Sequence, residues 1–319
     1  MATVPGGTSV VRAREDTRMM KRFLGAAAGI AAAFAISAPQ SAMALDQWPN
    51  GPIQVIVPYG AGGDTDFHAR VQAKYLEPLL GVSMPVINVT GAGGSIGARQ
   101  AKDAAPDGQT VLLFHTAMLV NTASGIADFS WRDFELAGIS GREPGGVLVT
   151  KADAPWQNMK DLVEASKSDP GSIDLTTNTG ATTYLVGALL NNEGAEFNFV
   201  DVGGSADRLT AVLGGNVDVS QNPLGQVKPY IDSGELRGLG ALASERTEAL
   251  PDVPTITEQG YDVSFQYSYF YLFPKGTPED VVTRFAEALQ TVVEENPEYA
   301  EEIRTTYFEE PYYKAPPVP

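Results

Sequence analysis

The sequence predicts an α/β fold in which mainly parallel sheets are flanked by helices and set in two lobes with a cleft between them. Three observations predict it. Short β-branched runs alternate with amphipathic helical patterns along most of the chain, the pattern of parallel sheets covered on both faces. Four glycine-rich turns each end one such run and open a helix. The turns fall in two pairs, one before Gly146 and one between Thr150 and Leu242, so a two-lobed arrangement gives all four a common target.

In chain order, the run Ile53–Val57 leads through the first turn, Tyr59-Gly60-Ala61-Gly62-Gly63-Asp64-Thr65, into a helical face of Phe67, Val71, Leu76, Leu79 and Leu80. Val86–Val89 feeds the second turn, Thr90-Gly91-Ala92-Gly93-Gly94-Ser95, and the runs Val111–Phe114 and Val147–Thr150 follow. Ile173–Thr176 feeds the third, Thr177-Asn178-Thr179-Gly180-Ala181-Thr182. Phe197–Val200 feeds the fourth, Asp201-Val202-Gly203-Gly204-Ser205, ahead of a face made by Leu209, Val212 and Leu213. Val217–Ser220, Leu239–Leu242 and Tyr269–Phe273 are the remaining strand runs, and Val281, Val282, Phe285, Leu289 and Val293 mark a last helix. The aromatic run Phe265, Tyr267, Tyr269, Phe270, Tyr271 alternates along its strand. Half of it is core and half is free to wall a pocket; the sequence leaves open which. The boundaries place residues 45–145 and 243–319 in one lobe and residues 146–242 in the other.

The first 44 residues read as an export signal and an upstream extension. Lys21 and Arg22 precede an apolar run, Leu24 to Ile36, and Ala42-Met43-Ala44 is a cleavage site. Met19 or Met20 fits the true start, and cleavage after Ala44 leaves a periplasmic chain beginning at Leu45. The run is too short to span a bilayer.

Of 319 residues, 22 are basic, 39 acidic, two are His and none is Cys, a net charge of −17. Taking away the leader, with five basic and two acidic residues, leaves −20. Such a chain is a poor partner for nucleic acid or anionic lipid. Without Cys it has no disulfide framework or thiolate metal site, and its isolated His68 and His115 form no ligand cluster. No metal and no cofactor is expected.

A glycine turn at a helix start aims unpaired N–H groups and the positive end of the helix dipole at one spot, where an anion fits. Asp64 or Asp66 after Gly63, Thr182 and Ser205 also read as helix caps, each contributing ~1 kcal/mol. Gly93-Gly94-Ser95-Ile96-Gly97 matches the G-x-S-x-G elbow of serine hydrolases. A hydrolase needs a His to activate the serine; His68 precedes Ser95 and His115 follows it by only 20 residues. Gly60-Ala61-Gly62-Gly63-Asp64-Thr65 and Gly91-Ala92-Gly93-Gly94-Ser95-Ile96 lack the last Gly of the dinucleotide fingerprint, and no P-loop motif occurs.

Trp48-Pro49, Val57-Pro58-Tyr59 with Gly62-Gly63 and Thr65-Asp66, Gly91 to Ala98, Ala105-Pro106-Asp107-Gly108, Leu213 to Asp218, Leu250 to Thr255 and Pro274 to Pro278 occur in one order. On these motifs, from about Trp48 to Tyr307, the chain resembles the Bug family, the periplasmic receptors of tripartite tricarboxylate transporters. The resemblance implies a periplasmic-binding-protein fold of type II kind that closes by a hinge on a carboxylated solute. It implies a first ligand loop over Tyr59 to Thr65, including Gly62, Gly63 and Asp64, and a second over Thr177 to Thr182, including Asn178, Gly180 and Ala181. Ser95 and Thr116 border the first lobe's side; Gly203, Ser205 and Asn222 border the second's, with Asp201 beside them. Tyr184 stands where the family's second loop has a His, Asp201-Val202 where it has Tyr-Lys, and Asn222 where it has Asp, so the distal end of the ligand differs. After Tyr307 the run Pro311-Tyr312-Tyr313-Lys314 departs from the family's final helix.

The expected function is a monomeric receptor, not an enzyme, that binds a small carboxylic acid, a dicarboxylate or an aromatic acid, and delivers it to membrane permease subunits. The alternatives are a ligand-sensing partner of a signalling system and, in another class, a hydrolase using Ser95.

Overall fold

The computed structural model describes residues 48–143 and 145–316. The leader features, Lys21 and Arg22 through the cleavage site and Leu45, lie outside the described residues. No helix among the described residues is long and apolar enough to cross a membrane.

The chain opens with β1 (Gln54–Val57), α1 (Asp64–Leu80), β2 (Val86–Asn88), α2 (Ser95–Lys102), β3 (Thr110–His115), α3 (Ala117–Ala123) and β4 (Phe134–Glu143). It continues through β5 (Val147–Lys151), α4 (Met159–Ser168), β6 (Asp174–Thr177), α5 (Thr182–Asn192), β7 (Asn198–Asp201), α6 (Ser205–Leu213), β8 (Val219–Asn222), α7 (Leu224–Asp232) and β9 (Leu236–Ala241). It ends with β10 (Tyr267–Pro274), α8 (Glu279–Gln290) and α9 (Pro297–Thr306).

These strands form two five-stranded sheets, β2-β1-β3-β10-β4 and β7-β6-β8-β5-β9. Both are mixed: four strands run one way and one, β10 or β5, runs against them. The reversed strand is the one that arrives from the other sheet. β5 follows β4 after only three residues, and β10 returns after the stretch between Ala241 and Tyr267. A strand reached in this way need not follow the helical crossover that makes its neighbours parallel.

Strand alternation is clean where helices cover both faces. Val55, Val57, Val111 and Leu113 pack under α1, α8 and α9, whereas Ile56, Leu112 and Phe114 pack under α2 and α3. In the second sheet Leu148 faces α4 and α5, whereas Val147 and Val149 face α6 and α7. The aromatic strand β10 is divided in the same way: Tyr269, Tyr271 and Phe273 join the core under α1, and Leu272 lies opposite. Leu79, read as part of the α1 face, is 50% exposed instead.

β4 is the longest strand and was not among the strand runs read from sequence. Gly138 and Gly141 interrupt its apolar pattern because aromatic rings take the space of their side chains. A Cβ would come within 2.9 Å of the Tyr313 ring at Gly138 and 3.2 Å of Tyr269 at Gly141.

The C-terminal segment dips across both sheets' territories. Tyr299 and Ile303 of α9 lie in the first sheet's core. Tyr307 packs on Gly225, and Phe308 joins the second sheet's cluster. Tyr313 and Lys314 then return, Lys314 bridging to Ile139 of β4.

Candidate functional site

Three helix starts meet where the sheets' carboxyl ends face each other: α1 after β1, α5 after β6 and α6 after β7. Between them lies a cavity of about 30 Å³, room for two or three waters at about 10–15 Å³ each. The first sheet's side contributes Tyr59, Asp64, His115, Glu143 and Tyr267; the second contributes Asn178, Ala181, Thr182, Thr183, Gly204, Ser205, Arg208, Gln221, Asn222 and Pro223. An outer groove of about 510 Å³ shares Tyr59, Asn178 and Gly204 with it and adds Gly91 to Gly94, Ile126, Asp201, Gly203 and Asp207.

The first turn organises itself around Asp66. Its Oδ2 accepts the Gly62 N–H at 2.9 Å, Arg70 pairs with both oxygens, and Asn88 donates to Oδ1. Burial pushes its carboxyl up, but the bonds from Arg70, Gly62 and Asn88 outweigh that and hold it below the usual value. Asp66 thus fastens the turn ahead of the helix and is not its N-cap, because α1 starts after Gly63 with no side-chain cap. Asp64 does other work: its N–H donates to Ser205 Oγ at 3.2 Å, Ser205 Oγ donates to its Oδ1 at 2.8 Å, and Tyr269 OH donates to its Oδ2 at 2.9 Å. The Asp64–Ser205 pair clasps the two lobes. Ser205 is therefore no cap; Asp207 caps α6 through the Gly204 N–H. Thr182 does not cap either: α5 starts after Ala181 with no side-chain cap, leaving its first-turn N–H groups open.

Further clasps flank this one. Asn121 Nδ2 donates to Gly93 O at 3.1 Å and to Gly180 O at 2.6 Å, tying the second and third turns together. Gln226 donates to Gly62 O at 3.1 Å, and Gln221 Nε2 donates to Tyr267 OH. At Gly180, φ is +80° and a Cβ would sit 2.3 Å from Ile126 Cδ1, so the third turn needs glycine for both backbone and approach.

Arg208, one turn into α6, is buried and donates from Nε to Gln221 O at 3.0 Å and from Nη1 to Gly203 O at 2.8 Å. Asp64's carboxyl is pushed up by burial but pulled lower overall by His115, Ser205, Tyr269 and Arg208. Burial holds the His115 imidazole at about 4, so at neutral pH it is uncharged and Arg208 is the cation that matters. His115 stacks on Tyr59 with ring centroids 5.0 Å apart, and its Nδ1 accepts the Ala117 N–H. Burial, reinforced by Glu309 and Asp64, pushes the Glu143 carboxyl well above its ordinary value.

Of the residues singled out from sequence, Tyr59, Asp64, Asn178, Ala181, Thr182, Ser205 and Asn222 line the cavity. Asp201 and Gly203 line only the outer groove. Gly62, Gly63, Thr65, Ser95, Thr116, Thr177 and Gly180 line neither. Thr116 accepts the Ser268 N–H and fixes β10 against α3 instead. Ser95 opens α2, and no hydrogen bond joins it to either His among the described residues. Its motif has a packing reason: a Cβ at Gly97 would sit 2.6 Å from Val89 O. The reading from sequence passed over Glu143, Thr183, Gly204, Arg208, Gln221 and Pro223 as site residues. Arg208 carried a signal, lying three residues after Ser205 on the same helical face.

The profile of the tripartite tricarboxylate transporter family receptor matches residues 68–316. Protein BugT of Bordetella pertussis is 33% identical over 283 residues, covering 85% of this chain and 86% of that protein. The periplasmic binding protein BugD superposes with a TM-score of 0.76 at 30% identity, over 81% of this chain and 88% of BugD. MatC of Rhodopseudomonas palustris, solved with malate, shares the fold with a TM-score of 0.75 at 24% identity, over 84% of this chain and 91% of its own. The chain belongs to the tripartite tricarboxylate transporter receptor family.

Proposed function

We propose that this chain is an extracytoplasmic receptor that encloses a small carboxylic acid between its lobes and delivers it to membrane permease subunits. One observation carries the reading: the starts of α5 and α6, with Arg208, converge on a single buried cavity opposite the start of α1. Open N–H groups at helix starts favour an anion, and in a water-poor site each charge-assisted bond contributes ~1.5–3 kcal/mol. A carboxylate is also what MatC, of the same fold, is solved with. Tyr59, Asn178, Ala181, Thr182, Ser205 and Asn222 act as contacts, and Gly62, Gly63, Gly180 and Gly203 shape the loops that carry them.

A cavity of about 30 Å³ does not admit a four-carbon acid, so loading requires the lobes to part. Ligand contacts to both lobes then favour the closed form, which the permease subunits read. The leader puts the receptor in the periplasm, where it works as a monomer.

The test is a thermal-shift panel of mono-, di- and tricarboxylates and aromatic acids on protein stripped of bound solute. A ligand at 100 times its dissociation constant adds ~2.7 kcal/mol, several degrees in melting temperature. A flat panel from folded protein refutes the carboxylate reading.

A further inference from the structure

The walls of the cavity carry opposite charge. The second lobe presents Arg208 and the starts of α5 and α6, all positive in character. The first presents two carboxyls, Asp64 and Glu143. These share one hydroxyl: Tyr269 OH lies 2.9 Å from Asp64 Oδ2 and 3.4 Å from Glu143 Oε2. A phenol has one proton to donate, and the shorter contact takes it. Glu143 is 1% exposed, and its Oε1 has no hydrogen-bond partner among the described residues. A buried carboxyl in that position must either hold a proton or meet a donor from outside.

The Leu224 N–H at the start of α7 bears on this carboxyl, yet no donor among the described residues reaches Oε1. His115 accepts the Ala117 N–H at Nδ1 and so carries its proton on Nε2, and that N–H makes no hydrogen bond to Glu143 Oε1. Arg208 commits Nε and Nη1 to the second lobe's carbonyls. Tyr267 OH accepts from Gln221, and its own proton does not reach Glu143 Oε1. On the far side of Tyr269, His68 lies against buried Glu309, 3.3 Å from its carboxyl. The outer groove repeats the bias, with Asp201 and Asp207 and no basic side chain in its lining.

We propose, resting on the receptor reading above, that the solute is a small zwitterion, an amino acid whose carboxylate meets Arg208 and the helix starts while its ammonium meets Glu143 and Asp64. An ammonium brings three donors, enough for Glu143 Oε1 and for the free lone pairs of Asp64. Burial and the neighbouring carboxyls push the Glu143 carboxyl well above its ordinary value in the empty site, towards the protonated form. When the ammonium arrives Glu143 ionises, and its proton passes to the solvent. A dicarboxylate instead sets a second anion against the Asp64 carboxylate.

Calorimetric titration of the solute-stripped protein tests this with matched pairs: β-alanine against propionate, γ-aminobutyrate against butyrate, and L-aspartate against succinate. The expected result is at least tenfold tighter binding of an amino acid than of its amine-free partner. The observed enthalpy should also shift between phosphate and Tris buffers, as proton release requires. Glu143→Gln should weaken the amino acid at least tenfold and leave the amine-free acid unchanged or tighter. Should that variant fail to fold, the ranking on the unmodified protein decides. Tighter binding of the amine-free acids overturns this proposal and leaves the carboxylate receptor standing. Silence towards both sets, from folded protein, overturns this proposal and leaves the receptor reading to the wider acid panel.

Discussion

Replacing Ser205 by Ala removes the clasp that joins the start of α6 to the start of α1. Two bonds go: the hydroxyl's donation to Asp64 Oδ1 at 2.8 Å and its acceptance of the Asp64 N–H at 3.2 Å. The first is charge-assisted and contributes ~1.5–3 kcal/mol; the second is longer and neutral, in the range of ~0.5–1.5 kcal/mol. Opening the lobes lets water satisfy both groups of Asp64, so the net loss to the closed form is about 2 kcal/mol. At ~1.4 kcal/mol per tenfold, the closed-to-open ratio falls about thirtyfold. Small-angle scattering of the solute-free protein should show a larger radius of gyration in Ser205→Ala than in the unmodified protein. Saturating solute should bring the two profiles together, and the variant's affinity should fall by up to the same factor. Superimposable solute-free profiles together with an affinity within twofold refute the clasp.

Two further predictions concern the same region. The folded value of His115, about 4, lies below its ordinary 6.5, so between these the unfolded chain binds more protons. Its contribution is complete above about pH 6.5 and is lost as pH falls towards 4, by about 3 kcal/mol in all. Glu143 runs the other way: its raised value gives stability at low pH that is lost as pH rises through the folded value. Urea melts of the unmodified protein and His115→Asn at pH 4 and 7.5 cancel that opposing trend, and parallel pH profiles contradict the assignment. Gly180→Val puts a branched side chain at φ +80° and against Ile126, strain on the order of 1–3 kcal/mol. The variant should melt several degrees lower and lose affinity as the third turn leaves Asn121; an unchanged Tm and dissociation constant count against that turn's role.

Much of the fold was legible because its elements obey simple periods. The run Val55-Ile56-Val57 and the run Val111 to Phe114 alternate between two covered faces and read as buried strands. β4 was hidden because Gly138 and Gly141 give their volume to Tyr313 and Tyr269, partners distant in sequence. Losing β4 also concealed Glu143, which stands at that strand's carboxyl end where binding groups gather. Tyr267 belonged to a run whose two faces were indistinguishable until the neighbouring strands were known. Asp64 and Ser205 were visible as candidates, but a local cap and a cross-cleft partner use the same side chains. Local pattern does not encode which of the two forms. Arg208 shares a helical face with Ser205, but only the burial of its head between Gly203 O and Gln221 O makes it part of the site.

The dip of the C-terminal segment links motion to charge. Phe308 is seated among the second lobe's apolar side chains, and Glu309, the very next residue, is buried beside His68 in the first. A swing that unseats Phe308 therefore carries off one of the carboxyls whose field bears on Glu143. The mechanical stroke of the receptor and the proton affinity of its binding surface share one lever, two residues long.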